Sequence, residues 1–215
     1  MRNFVDQLTA TMERSIEHIY QRPARPGMVG DGFRVFNYFP NGGISQQRVS
    51  PFLMMDFNAE YDFGASDHIR GVDVHPHKGF ETVTLAYKGS VAHHDSTGNS
   101  GIINPGDVQW MTAGAGVLHK EYHEQEFSKR GGPFEMVQLW VNLPAKHKLT
   151  APGYQAITAG QMSKVILPDN AGTVNVVAGS FNGQAGPATT FTPVNMFDIR
   201  LNAGGEMATE TPVWH

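Results

Sequence analysis

The chain has no cysteine among its 215 residues. Disulfides, thiolate-held metals and cysteine nucleophiles are therefore excluded, and any metal or acid–base chemistry must rest on nitrogen and oxygen donors. Charge is sparse, at 17% of residues, and shows no basic excess: the formal net charge is −4. Nucleic-acid binders normally carry a basic patch, so no direct nucleic-acid contact is expected. No apolar run approaches the ~20 residues that a membrane-spanning helix needs. The first twenty residues mix acidic, basic and apolar side chains and lack the apolar core of a secretory signal. The expectation is a mature, cytoplasmic protein with no membrane partner.

What the chain has in quantity is glycine and proline, 24 and 13, alongside 40% hydrophobic residues. That balance favours many short strands joined by tight turns, an all-β fold. An exception is expected at residues 3–20, where Phe4, Val5, Leu8, Met12, Ile16 and Ile19 follow a mostly helical spacing that Pro23 and Pro26 terminate. From Gly32 onward strand-like segments dominate: FRVFNYF (33–39), SPFLMMDF (50–57), ETVTLAYKGSVAHHD broken by a turn at Lys88-Gly89, GVLHKEYH, and FEMVQLWVNLP (134–144). Residues 58–72 read as a polar loop and 145–160 as a linker. A second strand-rich region follows, containing KVILP, TVNVVAGSF and FTPVNMFDIRLNAGG.

Seven of the ten histidines fall between His68 and His123. Two motifs stand out within that stretch, His75-Pro76-His77 and His119-Lys120-Glu121. On a strand, residues two apart point to the same face, so each motif projects two side chains into one space. Two such strands side by side supply three imidazoles and one carboxylate. That donor set suits a divalent first-row metal, and an octahedral ion so held keeps positions open. Glu81, four residues beyond His77, shares the histidine face on a straight strand and rivals Glu121 as the fourth ligand. His93 and His94 are adjacent and must face opposite ways, one toward the cavity and one toward solvent. His123 is expected at the rim, and Trp110, Met111, Phe134, Met136 and Trp140 in the barrel core.

His75, His77, Glu81 and Gly89 resemble the first motif of the cupin barrel superfamily. Gly106, Thr112-Ala113-Gly114 and His119 stand in for the second, with Thr where proline is usual. The segments HPHKGFETVT (75–84), PGDVQWMTAGAGVLHKE (105–121) and QLWVNLP (138–144) are similar to the most distinctive segments of the pirin family within the cupins. The resemblance extends from about Phe33 to the end of the chain. It implies a metal-binding cupin barrel over residues 31–145, preceded by a helix and arm over 1–30 and followed by an incomplete second cupin region over 146–215, since pirins carry two barrels in tandem. Dimerisation or strand exchange is expected to cover the second region, making a homo-oligomer a candidate assembly.

The same resemblance implies iron, as Fe(2+), held by His75, His77, His119 and Glu121. Glu81 is then left to orient a ligand imidazole. It further implies a quercetin 2,3-dioxygenase, in which a flavonol and O2 meet at the metal and Glu121 takes a phenolic proton. The alternative it implies is an iron-containing, redox-sensitive regulator that binds a protein partner, either a transcription factor or a metabolic enzyme.

Overall fold

The structure, a computed structural model, describes residues 16–209. The helix expected over 3–20 lies outside the described residues up to position 15, and residues 16–20 have no regular structure. Among the described residues no helix is long and apolar enough to cross a membrane.

The fold is all-β, as expected. In chain order the strands are β1 (Gly27–Val29), β2 (Phe33–Phe39), β3 (Phe52–Phe63), β4 (Gly71–His77), β5 (Phe80–Lys88), β6 (Val91–Asp95), β7 (Ser100–Ile103), β8 (Val108–Thr112), β9 (Val117–His123), β10 (Gly132–Asn142) and β11 (Gly153–Ile157). Beyond these lie β12 (Ser163–Ile166), β13 (Gly172–Ala178), β14 (Ser180–Phe181), β15 (Gln184–Ala185) and β16 (Met196–Leu201). Two short helices, α1 (Gln46–Val49) and α2 (Gln125–Arg130), fill connections.

A seven-stranded sheet in the order β1-β2-β3-β10-β5-β8-β11 faces a four-stranded sheet in the order β4-β9-β6-β7. Their strand pairs are antiparallel throughout. In β9 the residues alternate between buried and more exposed, with His119, Glu121 and His123 inward and Leu118 and Lys120 outward. This is the signature of a strand with one wet face. In β5, by contrast, every residue from Glu81 to Ala86 is buried. That sheet is covered on both sides, so its strands read as continuous rather than alternating runs.

Apolar clusters hold these layers, a small one being Met111, Ala113 and Val117 with Tyr154 packed against it. Phe33, Val35, Phe63, Ala86, Val91, Ile103, Phe127, Phe134 and Met136 pack one end of the space between the two sheets. On the other face of the seven-stranded sheet, Val83, Leu85, Val108, Trp110 and Val141 pack against Val177, Ala178 and Met196 of the C-terminal region. Leu167, Val174, Val176 and Phe181 form another cluster beside the three-stranded sheet β12-β13-β16.

Several connections differ from the sequence reading. Lys88-Gly89 does not close a hairpin, because β5 and β6 belong to different sheets. The chain turns a corner there, and Gly89 (φ +74°) is required: a Cβ would lie 2.7 Å from Phe134 and 2.9 Å from Phe127. Residues 58–63, read as loop, continue β3 as the partner of β10. The stretch read as a linker contains β11, which pairs with β8 at the edge of the large sheet. Its polar residues Tyr154 and Gln155 masked a strand that owes its stability to pairing rather than to apolar content.

Candidate metal centre

The register of β4 against β9 places His75 directly opposite His119, with His77 two residues along. The three imidazoles converge: their candidate ligand atoms all lie within 4.8 Å of one another. Ring centroids are 4.4 Å apart for His75–His119, 4.6 Å for His77–His119 and 4.8 Å for His75–His77. His77 and His119 are buried, while His75 is half-buried and forms the open side of the group. His75 Nδ1 lies 2.7 Å from the Asp73 carbonyl oxygen. A carbonyl oxygen only accepts, so Nδ1 carries a proton and Nε2 is the nitrogen left to coordinate an ion.

Burial and the mutual repulsion of neighbouring imidazolium charges hold both His77 and His119 neutral, with pKa values pulled down to about 3. Both ring nitrogens of His119 are buried without a hydrogen-bond partner among the described residues. Leaving buried polar atoms unpaired is costly unless something coordinates them. Convergent imidazoles, two of them held neutral and one without any hydrogen-bond partner, are what a divalent metal requires, so the residues present fit such an ion.

Glu121 lies on β9 two residues beyond His119 and is 4% exposed. Its carboxylate is not part of the three-imidazole group. Instead Gln138 Nε2, from β10 on the opposing sheet, donates to both of its oxygens, at 3.3 Å and 3.1 Å. Burial raises the Glu121 pKa, while the Gln138 hydrogen bond and the nearby His75 and His93 pull it back. His93 stands across from Glu121 in the β6–β9 pair. It faces inward and its neighbour His94 faces solvent, as their adjacency demanded. The His93 ring stacks on Tyr154 at 4.8 Å and 25°. Its opposite residue Gly101 has to lack a side chain, since a Cβ there would sit 2.7 Å from His93 Nε2.

Glu81 is placed elsewhere. The chain breaks at Lys78-Gly79 between β4 and β5, and the two strands belong to different sheets, so the straight-strand parity with His77 is lost. Thr84 faces inward, where Gln138 Nε2 donates to it at 3.4 Å. Glu81 shares the other face of β5 with Val83 and Leu85, which pack toward the C-terminal region. There its Oε1 accepts a 2.7 Å hydrogen bond from Thr112 Oγ1, and burial raises its pKa.

His123 is not at a rim. It is fully buried among Phe33, Phe63, Phe127 and Phe134, and its Nε2 donates to the Gly32 carbonyl at 2.8 Å. Trp140 does more than fill the core. It stacks on Phe80 at 4.5 Å and 30°, lies edge-on to His77 at 5.2 Å, and buries an indole N–H without a partner. Gln138 was missed as a site residue. Its only sequence signal was its position within QLWVNLP, two residues before Trp140 on the same strand face.

The pirin family profile matches residues 32–141. A Pseudomonas aeruginosa protein provisionally named a quercetin 2,3-dioxygenase is 49% identical over 187 residues, covering 87% of this chain and 65% of its own length. A pirin-like protein of Caulobacter vibrioides is 40% identical over 183 residues, covering 84% of this chain and 63% of its own. The crystal structure of a quercetin 2,3-dioxygenase from Acinetobacter baumannii superposes with a TM-score of 0.78 at 49% identity, covering 84% of this chain and 62% of that one. The chain thus spans about 65% of the length of the first curated relatives it matches.

Proposed function

The chain belongs to the pirin family, and on that premise we propose that it is an iron-dependent dioxygenase acting on a flavonol of the quercetin type. The observation that carries this reading is the convergence of His75, His77 and His119 within 4.8 Å, with His77 and His119 buried and held neutral. The names of its relatives from Pseudomonas aeruginosa and Acinetobacter baumannii give the substrate class. In the reaction both atoms of O2 enter the ring-opened product and one ring carbon leaves as carbon monoxide.

His75, His77 and His119 would hold the metal, with Glu121 as the fourth protein ligand. When bound, the metal would supply Lewis acidity toward a phenolic oxygen and activation of O2. Glu121 accepts the phenolic proton: a buried carboxylate with a raised pKa is a better base than an exposed one. Phe80 and Trp140 offer a stacked aromatic wall beside His77 for a planar ring system. The unclaimed Trp140 indole N–H is a donor for one of its oxygens. The half-buried His75 marks the open side from which substrate approaches, because the opposite end is packed with phenylalanines.

The test is loss of flavonol absorbance when iron-loaded protein meets quercetin in air. Wild-type protein turns over; Glu121→Gln retains protein-bound iron and loses roughly 100-fold or more in rate, while His119→Ala loses both iron and turnover. Absence of turnover by metal-replete wild type, or undiminished turnover by both variants, would overturn the proposal.

A further inference from the structure

Glu121 and the three imidazoles sit on the same strand pair, yet the carboxylate is held away from the imidazole group by a residue of the opposing sheet. Gln138 lies in register with Thr84 across β10 and β5. Its amide nitrogen is within hydrogen-bonding distance of three acceptors, the two Glu121 oxygens and Thr84 Oγ1, at 3.1–3.4 Å. Two N–H groups shared among three acceptors cannot make three well-aligned bonds. All three distances exceed the 2.7–2.9 Å of a strong charge-assisted bond. The hold is therefore enough to keep a buried carboxylate solvated and too weak to keep it from a metal.

We propose that Gln138 is a positioning residue that makes Glu121 a displaceable ligand, giving the carboxylate a second resting place when another anion takes its position at the metal. This rests on the three-histidine metal reading above. Glu121 is 4% exposed, so without Gln138 a displaced carboxylate would face no donor except through water. With Gln138 present, the carboxylate can leave the metal for an incoming phenolate and remain paired within the same cavity, close to the proton it is to receive. No other side chain among the described residues donates a hydrogen bond to Glu121: the neighbouring His93 is stacked on Tyr154, and its Nδ1 has no partner.

The experiment uses the Co(II)-loaded protein and azide as the competing anion, followed by visible absorbance at a fixed pH. The Gln138→Leu variant should bind azide roughly fivefold more weakly than wild type, the equivalent of one lost hydrogen bond. Gln138→Met keeps the side-chain length without the donor and should behave the same way, which guards against a folding defect in the leucine variant. In a Glu121→Gln background the leucine substitution should leave azide affinity unchanged, because its effect acts through the carboxylate. Azide binding equal to or tighter than wild type in both Gln138 variants, or the same weakening in the Glu121→Gln background, overturns the inference. Wild type that takes up no Co(II) overturns the metal reading and this inference with it, whereas normal Co(II) uptake with indifferent azide binding overturns this inference alone.

Discussion

His77 and His119 are the side chains whose protonation depends most on the fold. In the unfolded chain each takes a proton as pH falls through about 6.5; in the folded, metal-free protein each resists until about 3. Because the folded pKa is depressed, stability is fully present above 6.5 and is lost as pH falls from 6.5 toward 3, at about 1.4 kcal/mol per pH unit for each group. The raised pKa values of Glu81 and Glu121 act with the opposite sign, since the folded state takes up their protons above the ordinary 4.5, and this offsets part of the loss. The denaturation midpoint of metal-free protein should therefore fall between pH 7 and pH 5, and it should fall less steeply in His119→Phe. Parallel pH dependences in the two proteins would contradict this assignment.

Strand parity decides which residues can meet, and β5 shows both its power and its limit. Within β4 and within β9 the period of two held, so His75, His77 and His119 were legible from spacing alone. Glu81 was misplaced because parity does not survive a turn: Lys78-Gly79 passes the chain from one sheet to the other. Gln138 was illegible for a related reason, since its role depends on which strand of the opposing sheet lies over β9, and spacing along the chain contains no such information. The all-β class followed from glycine, proline and β-rich runs, whereas β11 escaped notice because an edge strand with polar residues has no distinctive pattern. The position of Glu81 makes a prediction at this scale. Glu81→Gln, on the far face of β5, should retain full metal content by elemental analysis. It should change stability at neutral pH by less than about 1 kcal/mol, because the neutral amide keeps the Thr112 contact without a buried charge to desolvate. Loss of metal in this variant would return Glu81 to the metal's surroundings.

Across the whole molecule, the seven-stranded sheet joins two structures. One face lines the space that holds the three-imidazole group, and the other packs Val83, Leu85, Trp110 and Val141 against Val177, Ala178 and Met196. Close-packed interiors transmit changes of shape, so the C-terminal region acts as a backing for the strands that carry Gln138 and Trp140. Met196 is 7% exposed in that layer. Met196→Ala should cost about 2–4 kcal/mol in chemical denaturation and lower the midpoint of the whole transition rather than split it. Separate transitions for the two halves would show that the layer is not cooperative.

The pairing of His75 opposite His119 has one more consequence. The two residues are about forty positions apart along the chain, and an ion bound by both would tether the ends of that loop. A cross-link of this length restricts the unfolded ensemble much as a disulfide does. In a protein without cysteine, coordination chemistry would thus take over a task of chain topology: the ion that serves the reaction would also hold β4 and β9 together, and its loss would loosen the strand pair before anything else in the fold.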